Sequence, residues 1–266
     1  MASDKRKVVE SKKLQVVGMV HLLPLPGAPG YGGNLAKIRD NALRDADALQ
    51  AGGVDAIMIE NFGDIPFFKT HVPTETVAHM TALALEVRKR VTVPIGINCL
   101  RNDGVSALSI AHAVGASFVR VNVLTGARVT DQGVIEGIAA ELIRLRTTLG
   151  AKGIKVWADV DVKHSAPLAE RPIEEEVWDM LERGGAEALI VSGTGTGKPT
   201  DPAMARRVKS AAPEAPLYVG SGVTLESLGE FQGVVDGVIV GTYFKKAGRV
   251  ENAVDVGRVK AFMKQA

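Results

Sequence analysis

The chain has 266 residues, 46% of them hydrophobic and 23% charged, enough for a core that needs neither disulfides nor a structural metal. Its 32 basic and 30 acidic residues nearly cancel, giving +2, and no long single-sign block follows the first residues, so nucleic-acid binding has no electrostatic footprint. No apolar run approaches the ~18 residues of a membrane span, the charged start lacks the apolar stretch of a secretory signal, and the single cysteine, Cys99, cannot close an internal disulfide. These features predict a cytoplasmic protein without membrane insertion, leaving peripheral membrane association and homo-oligomerisation open.

Residues 1–13 are expected to be disordered or loosely docked, and residues 14–266 to form one domain. Along that stretch, β-branched or apolar runs predict strands at Gln15 to Val20, Ala56 to Glu60, Pro94 to Cys99, Phe118 to Val123, Ile154 to Val162, Ala188 to Ser192, Leu217 to Gly220 and Gly237 to Gly241. Between and after them, helical periodicity predicts helices at Leu35 to Ala51, Thr76 to Arg90, Ser106 to Val114, Ile135 to Leu149, Ile173 to Arg183, Ala203 to Ala211, Leu225 to Phe231 and Val254 to Met263. Eight alternations in a length near the ~250 residues typical of the fold predict a single TIM (β/α)8 barrel. The longest loops, His21 to Asn34, Asn61 to Glu75 and Leu124 to Val134, all follow strands, the side on which barrel enzymes carry their sites.

Strand alternation separates residues packed against helices from residues facing the barrel interior. By that rule Asp159, Asp161 and Lys163 face inward from the fifth strand, Arg120 and Asn122 from the fourth, Glu60 from the second, Asn98 from the third and Ser192 from the sixth, while His21 shares its face with Val17 and Met19. Buried polar groups must pair, bind ligand or meet solvent. One reading is a structural network in which Glu60, Asp159 and Asp161 neutralise Arg120 and Lys163. The other is a catalytic cluster in which Asp159 or Asp161 is a general base, Lys163 a proton donor or Schiff-base amine, and Glu60, Asn98 and Asn122 orient the substrate. Glu60, Asp159 and Asp161, helped by His21 or His164, are also candidate ligands for Mg2+ or Mn2+.

The glycine-containing turns after the seventh and eighth strands, with Gly220, Ser221, Gly222, Gly241 and Thr242, suit a phosphate held by backbone amides. A third run, Ser192-Gly193-Thr194-Gly195-Thr196-Gly197-Lys198-Pro199, is not a P-loop, because Ser192 replaces its first glycine and Pro199 the magnesium-holding hydroxyl residue. It is expected to be a mobile loop over the same ligand or a solvated linker.

The phrases Gly18-Met19-Val20-His21-Leu22-Leu23-Pro24-Leu25-Pro26-Gly27, Glu60-Asn61-Phe62-Gly63-Asp64, Arg101-Asn102-Asp103-Gly104, Arg120-Val121-Asn122, Thr130-Asp131-Gln132-Gly133, Ala158-Asp159-Val160-Asp161-Val162-Lys163-His164 and Val219-Gly220-Ser221-Gly222-Val223-Thr224 resemble the BtpA family from about residue 15 to 260. The resemblance implies a ribulose-phosphate-binding type of barrel, and some cyanobacterial members are associated with thylakoid membranes and photosystem I accumulation. The expected function is therefore an enzyme acting on a small sugar or nucleoside phosphate. The alternative is a non-enzymatic assembly factor.

Overall fold

The computed structural model describes residues 13–266 except residue 194. Of the predicted loose segment only Lys13 is among them, and it is exposed; the remainder lies outside the described residues.

Eight parallel strands, β1 (Gln15–His21), β2 (Ala56–Glu60), β3 (Ile95–Asn98), β4 (Phe118–Val121), β7 (Lys155–Asp161), β9 (Ala188–Val191), β10 (Leu217–Val219) and β11 (Gly237–Val240), close a barrel in that order. The predicted TIM barrel is the observed fold. Three further strands, β5 (Ala127–Thr130), β6 (Gly133–Glu136) and β8 (Ser165–Pro167), form a small antiparallel sheet at its mouth.

Around the barrel lie α1 (Leu35–Gly52), α2 (Thr74–Arg90), α3 (Gly104–Val114), α4 (Ala139–Thr148), α5 (Ile173–Trp178), α6 (Pro202–Ala211) and α7 (Val256–Met263). Their starts are set locally: the side chains of Asn34, Asp103, Asp201 and Asp255 each accept a first-turn amide hydrogen. None of these helices is long and apolar enough to cross a membrane.

Two predicted helices are corrected. Ile135 lies in β6, where it is fully buried with Val123 and Val162 under the hairpin, and the helix begins at Ala139. Leu225 to Phe231 contains only a 3-10 turn, Leu228–Glu230; Leu228 and Phe231 are buried and so mimic a helical stripe, while reciprocal Thr224 and Ser227 hydrogen bonds fix a turn instead. The predicted loop from Leu124 to Val134 likewise contains β5 and the start of β6.

The barrel floor is aromatic. Phe118, Trp157 and Tyr218 stack in sequence, with ring centroids 4.1 and 4.2 Å apart, beside Val17, Met19, Met58, Ile190 and Ile239. A β-carbon on Gly96 would lie 2.1 Å from the Phe118 ring, so this glycine makes room for the plug. Above the plug, register sets polar residues side by side: His21 against Glu60, Glu60 against Asn98, and Asn98 against Arg120. This belt forms the base of the candidate site.

Candidate active site

Arg120 and Asp159 make a bidentate pair, Nε to Oδ2 at 2.9 Å and Nη2 to Oδ1 at 2.8 Å, with both side chains essentially inaccessible. Asn122 donates to Asp159 Oδ2 at 2.8 Å and Ser192 Oγ to Oδ1 at 3.2 Å. Four donors thus saturate the carboxylate, leaving no lone pair well placed to take a substrate proton. The expectation of Asp159 as general base is corrected: it holds Arg120, Asn122 and Ser192 in place.

Asp161 is also displaced from its expected role. The pairing of β7 with β9 slips between Asp159 and Asp161, and this irregularity breaks the two-residue alternation. Asp161 turns to the small sheet and pairs with Arg128 of β5, which also donates to Ser165 Oγ at 2.7 Å. Because the carboxylates of Asp159 and Asp161 are each committed to an arginine, the anticipated Mg2+ or Mn2+ ligand set of Glu60, Asp159 and Asp161 is not assembled. Among the described residues no group of three or more His, Cys, Asp or Glu side chains has metal-binding geometry.

A cavity of about 240 Å³ opens above the belt and brings His21, Glu60, Arg120 and Lys163 together with the loops after β9, β10 and β11. Glu60 is buried and accepts a 2.5 Å hydrogen bond from Asn98 Nδ2. Its other oxygen stands 3.9 Å from His21 Nε2. Burial lowers the Lys163 pKa below the ordinary lysine value, and Arg120 adds to the shift, while Glu60 opposes it. Burial, followed by the charges of Lys245, Lys163 and Arg120, holds the His21 pKa well below 6.5, so its imidazole is neutral at pH 7. Its buried Nδ1 has no hydrogen-bond partner among the described residues.

The opposite wall is backbone. Ser221, Gly222, Val223, Thr242 and Tyr243 line the cavity, and among the described residues none of their amides donates a hydrogen bond. Gly220 differs, because its N–H is spent on Val191 O at 2.7 Å. Gly220 instead leaves room for Ser192 and Arg120, and Gly241 for His21: an added β-carbon would sit 2.9 Å from Ser192 Oγ and 2.7 Å from His21 Cε1, respectively. The Ser221 hydroxyl donates to Gly195 O at 3.1 Å, tying the loop after β10 to the loop after β9. That second loop brings Thr196 and Gly197, but not Lys198, to the cavity.

Sequence reasoning missed Arg258 and Arg101. Arg258 of α7 lines the cavity, donates from Nε to Tyr243 O at 2.6 Å and stacks 4.4 Å above the Tyr243 ring. A helix-face arginine carries no local signal that it reaches over the barrel mouth. Arg101 is buried and donates from Nη2 to Lys163 O at 2.5 Å, positioning the lysine segment. Cys99 packs its sulfur 3.8 Å from Met80, with burial pushing its thiol pKa well up, as befits a small apolar residue.

Residues 12–266 match the BtpA family. The chain belongs to the BtpA family. A Thermococcus kodakarensis protein of uncharacterized function is 46% identical over 258 residues, 97% of each chain. The Synechocystis protein named photosystem I biogenesis protein BtpA is 45% identical over 248 residues, 93% of this chain and 86% of that one. Among solved structures, N-(5'-phosphoribosyl)anthranilate isomerase from Pyrococcus furiosus superposes with a TM-score of 0.57 at 13% identity, covering 95% of this BtpA-family chain and 98% of the isomerase. At that identity the likeness is one of fold.

Proposed function

We propose that this BtpA-family protein is an enzyme acting on a small phosphorylated ligand. The observation that carries the reading is the two-sided cavity, with uncommitted amides of Ser221, Gly222, Val223, Thr242 and Tyr243 beside Arg258 on one wall, and Glu60 and Lys163 on the other. Converging N–H donors and a guanidinium suit a phosphate dianion. The phosphorylated substrate named for the isomerase of the same fold supports this class of ligand.

Glu60 is the candidate general base, because its Oε1 is not committed to the Asn98 hydrogen bond. Lys163, with its pKa lowered by burial, is the candidate proton donor. Asp159 and Asp161 are paired with Arg120 and Arg128, and burial outweighs the pull of Asp159 on Lys163, so a lysine amine free for Schiff-base chemistry also fits the site. His21, Asn98, Arg120, Asn122 and Ser192 hold or orient these groups. A chain whose only cysteine is buried suits the reducing cytoplasm.

The purified chain incubated with a phosphometabolite mixture should retain or turn over phosphorylated species. Arg258→Ala and Ser221→Asp should weaken retention about ten-fold or more, the loss expected of a charge-assisted contact. Lys163→Ala should bind but not turn over. The name of the Synechocystis relative favours a second reading, an assembly factor that works through its surface. That reading replaces the enzyme if no phosphorylated ligand binds and Lys163→Ala leaves partner binding unaltered.

A further inference from the structure

A second chamber of about 410 Å³ adjoins the first and shares Lys163 and Thr196 with it. The first chamber, about 240 Å³, is below the roughly 300–1,000 Å³ usual for ligand sites, whereas the two together fall within that range. A ligand filling both would place its phosphate on the amide wall and its other end beyond Lys163.

The second chamber has aromatic and hydrogen-bonding walls. Phe62, Phe67 and Leu100 provide apolar surface, and Phe62 packs in a tilted arrangement against His21 with ring centroids 4.6 Å apart. Arg101, Gln132 and His164 provide polar groups. The Gln132 side chain donates from Nε2 to Asp131 Oδ2 at 2.6 Å, while its buried Oε1 has no partner among the described residues. His164 Nε2 accepts the Thr196 amide at 3.3 Å, which leaves Nδ1 to carry the proton of the neutral ring. The side-chain amide of Gln132, whose Oε1 lacks a partner among the described residues, and the imidazole of His164 line one chamber with flat apolar surfaces, and this combination matches a planar heterocycle whose edge both donates and accepts.

We infer that the second chamber holds a nucleobase, so that the ligand is a nucleoside 5'-monophosphate rather than a bare sugar phosphate. The inference rests on the phosphate reading above. It assigns Phe67 and Gln132 to ligand selection, with no part in holding the phosphate.

Calorimetric titration of the full chain with inorganic phosphate, ribose 5-phosphate and the 5'-monophosphates of adenosine, guanosine, cytidine and uridine separates the two claims. At least one nucleotide should bind about ten-fold or more tighter than ribose 5-phosphate, the increment expected from stacking plus edge recognition. Phe67→Ala and Gln132→Leu should each erase much of that advantage while leaving ribose 5-phosphate affinity unchanged, which also shows that the variants are folded. Ribose 5-phosphate binding as tightly as every nucleotide would overturn the base chamber and leave the phosphate reading standing. So would a nucleotide advantage that both variants preserve. If none of the six ligands binds, both claims fail.

Discussion

Lys163 is held in a cavity that disfavours its charge, and that cost has a pH signature. Its native pKa lies below the ordinary 10.5, so between those values the unfolded chain binds the more protons and stability rises with pH. Below the window the charged ammonium is destabilising. Lys163→Met should therefore abolish turnover yet raise Tm at pH 7, by about 2–4 °C for each kcal/mol relieved, and flatten the rise of stability toward pH 10.5. Thermal denaturation across a pH series checks this; a Tm lowered at every pH would contradict it. Glu60, Asn98 and Arg120 were legible as inward-facing residues because β2, β3 and β4 keep an uninterrupted pleat and register. The facing of Asp161 was not, since it depends on an irregularity in β7 and on an arginine that arrives from β5. Pairing of Asp159 with Arg120 was one of the two arrangements that alternation offered, but the further donors Asn122 and Ser192, which saturate the carboxylate, were not legible.

At the scale of elements, the loops after β9 and β10 behave as one unit. Gly222 has φ +68°, and a β-carbon there would meet Lys198 O at 2.1 Å. Gly222→Ala should cost about 1–3 kcal/mol in stability and also weaken phosphate-ester binding, since the loop must move and take its amides with it. Gly229→Ala, which would meet nothing within 4 Å, is the matched control and should leave binding unchanged. Denaturant melts and ligand titration of the pair decide the matter, and equal behaviour of the two variants would refute the coupling. The barrel strands were readable from apolar runs because both faces of each are buried, by the aromatic plug or by the helices. The small sheet at the mouth was not: its strands are three or four residues long, and Val129 and Val134 are exposed, so no alternating pattern marks it. The first loop, Pro- and Gly-rich in sequence, is anchored: Leu25 is buried and donates its amide to Asp64 Oδ1 at 2.8 Å.

Across the whole molecule, an ion pair inside the protein fastens the last βα unit to the first helix. Lys245 Nζ lies 2.6 Å from Asp45 Oδ2, with both side chains at most 2% exposed, and Asp45 Oδ1 also accepts the Val254 amide at 3.1 Å. With Lys245 removed, buried Asp45 keeps only the Arg44 guanidinium, 3.3 Å from its Oδ1, and the Val254 amide, so Lys245→Met should cost up to about 3 kcal/mol, read by denaturant unfolding. A loss below about 1 kcal/mol would show that the pair is solvated in the folded chain. The same segment carries Tyr243, so this anchor holds one edge of the amide wall in place. The barrel closes where β1 pairs with β11, and just outside that ladder the Leu14 amide donates to Ala266 O at 3.1 Å. A crystal structure with ribose 5-phosphate bound decides whether the amide wall of this barrel is a phosphate seat. The phosphate should lie against the amides of Ser221, Gly222, Val223, Thr242 and Tyr243 beside Arg258; a phosphate seated instead on Arg101 in the second chamber would rule that seat out.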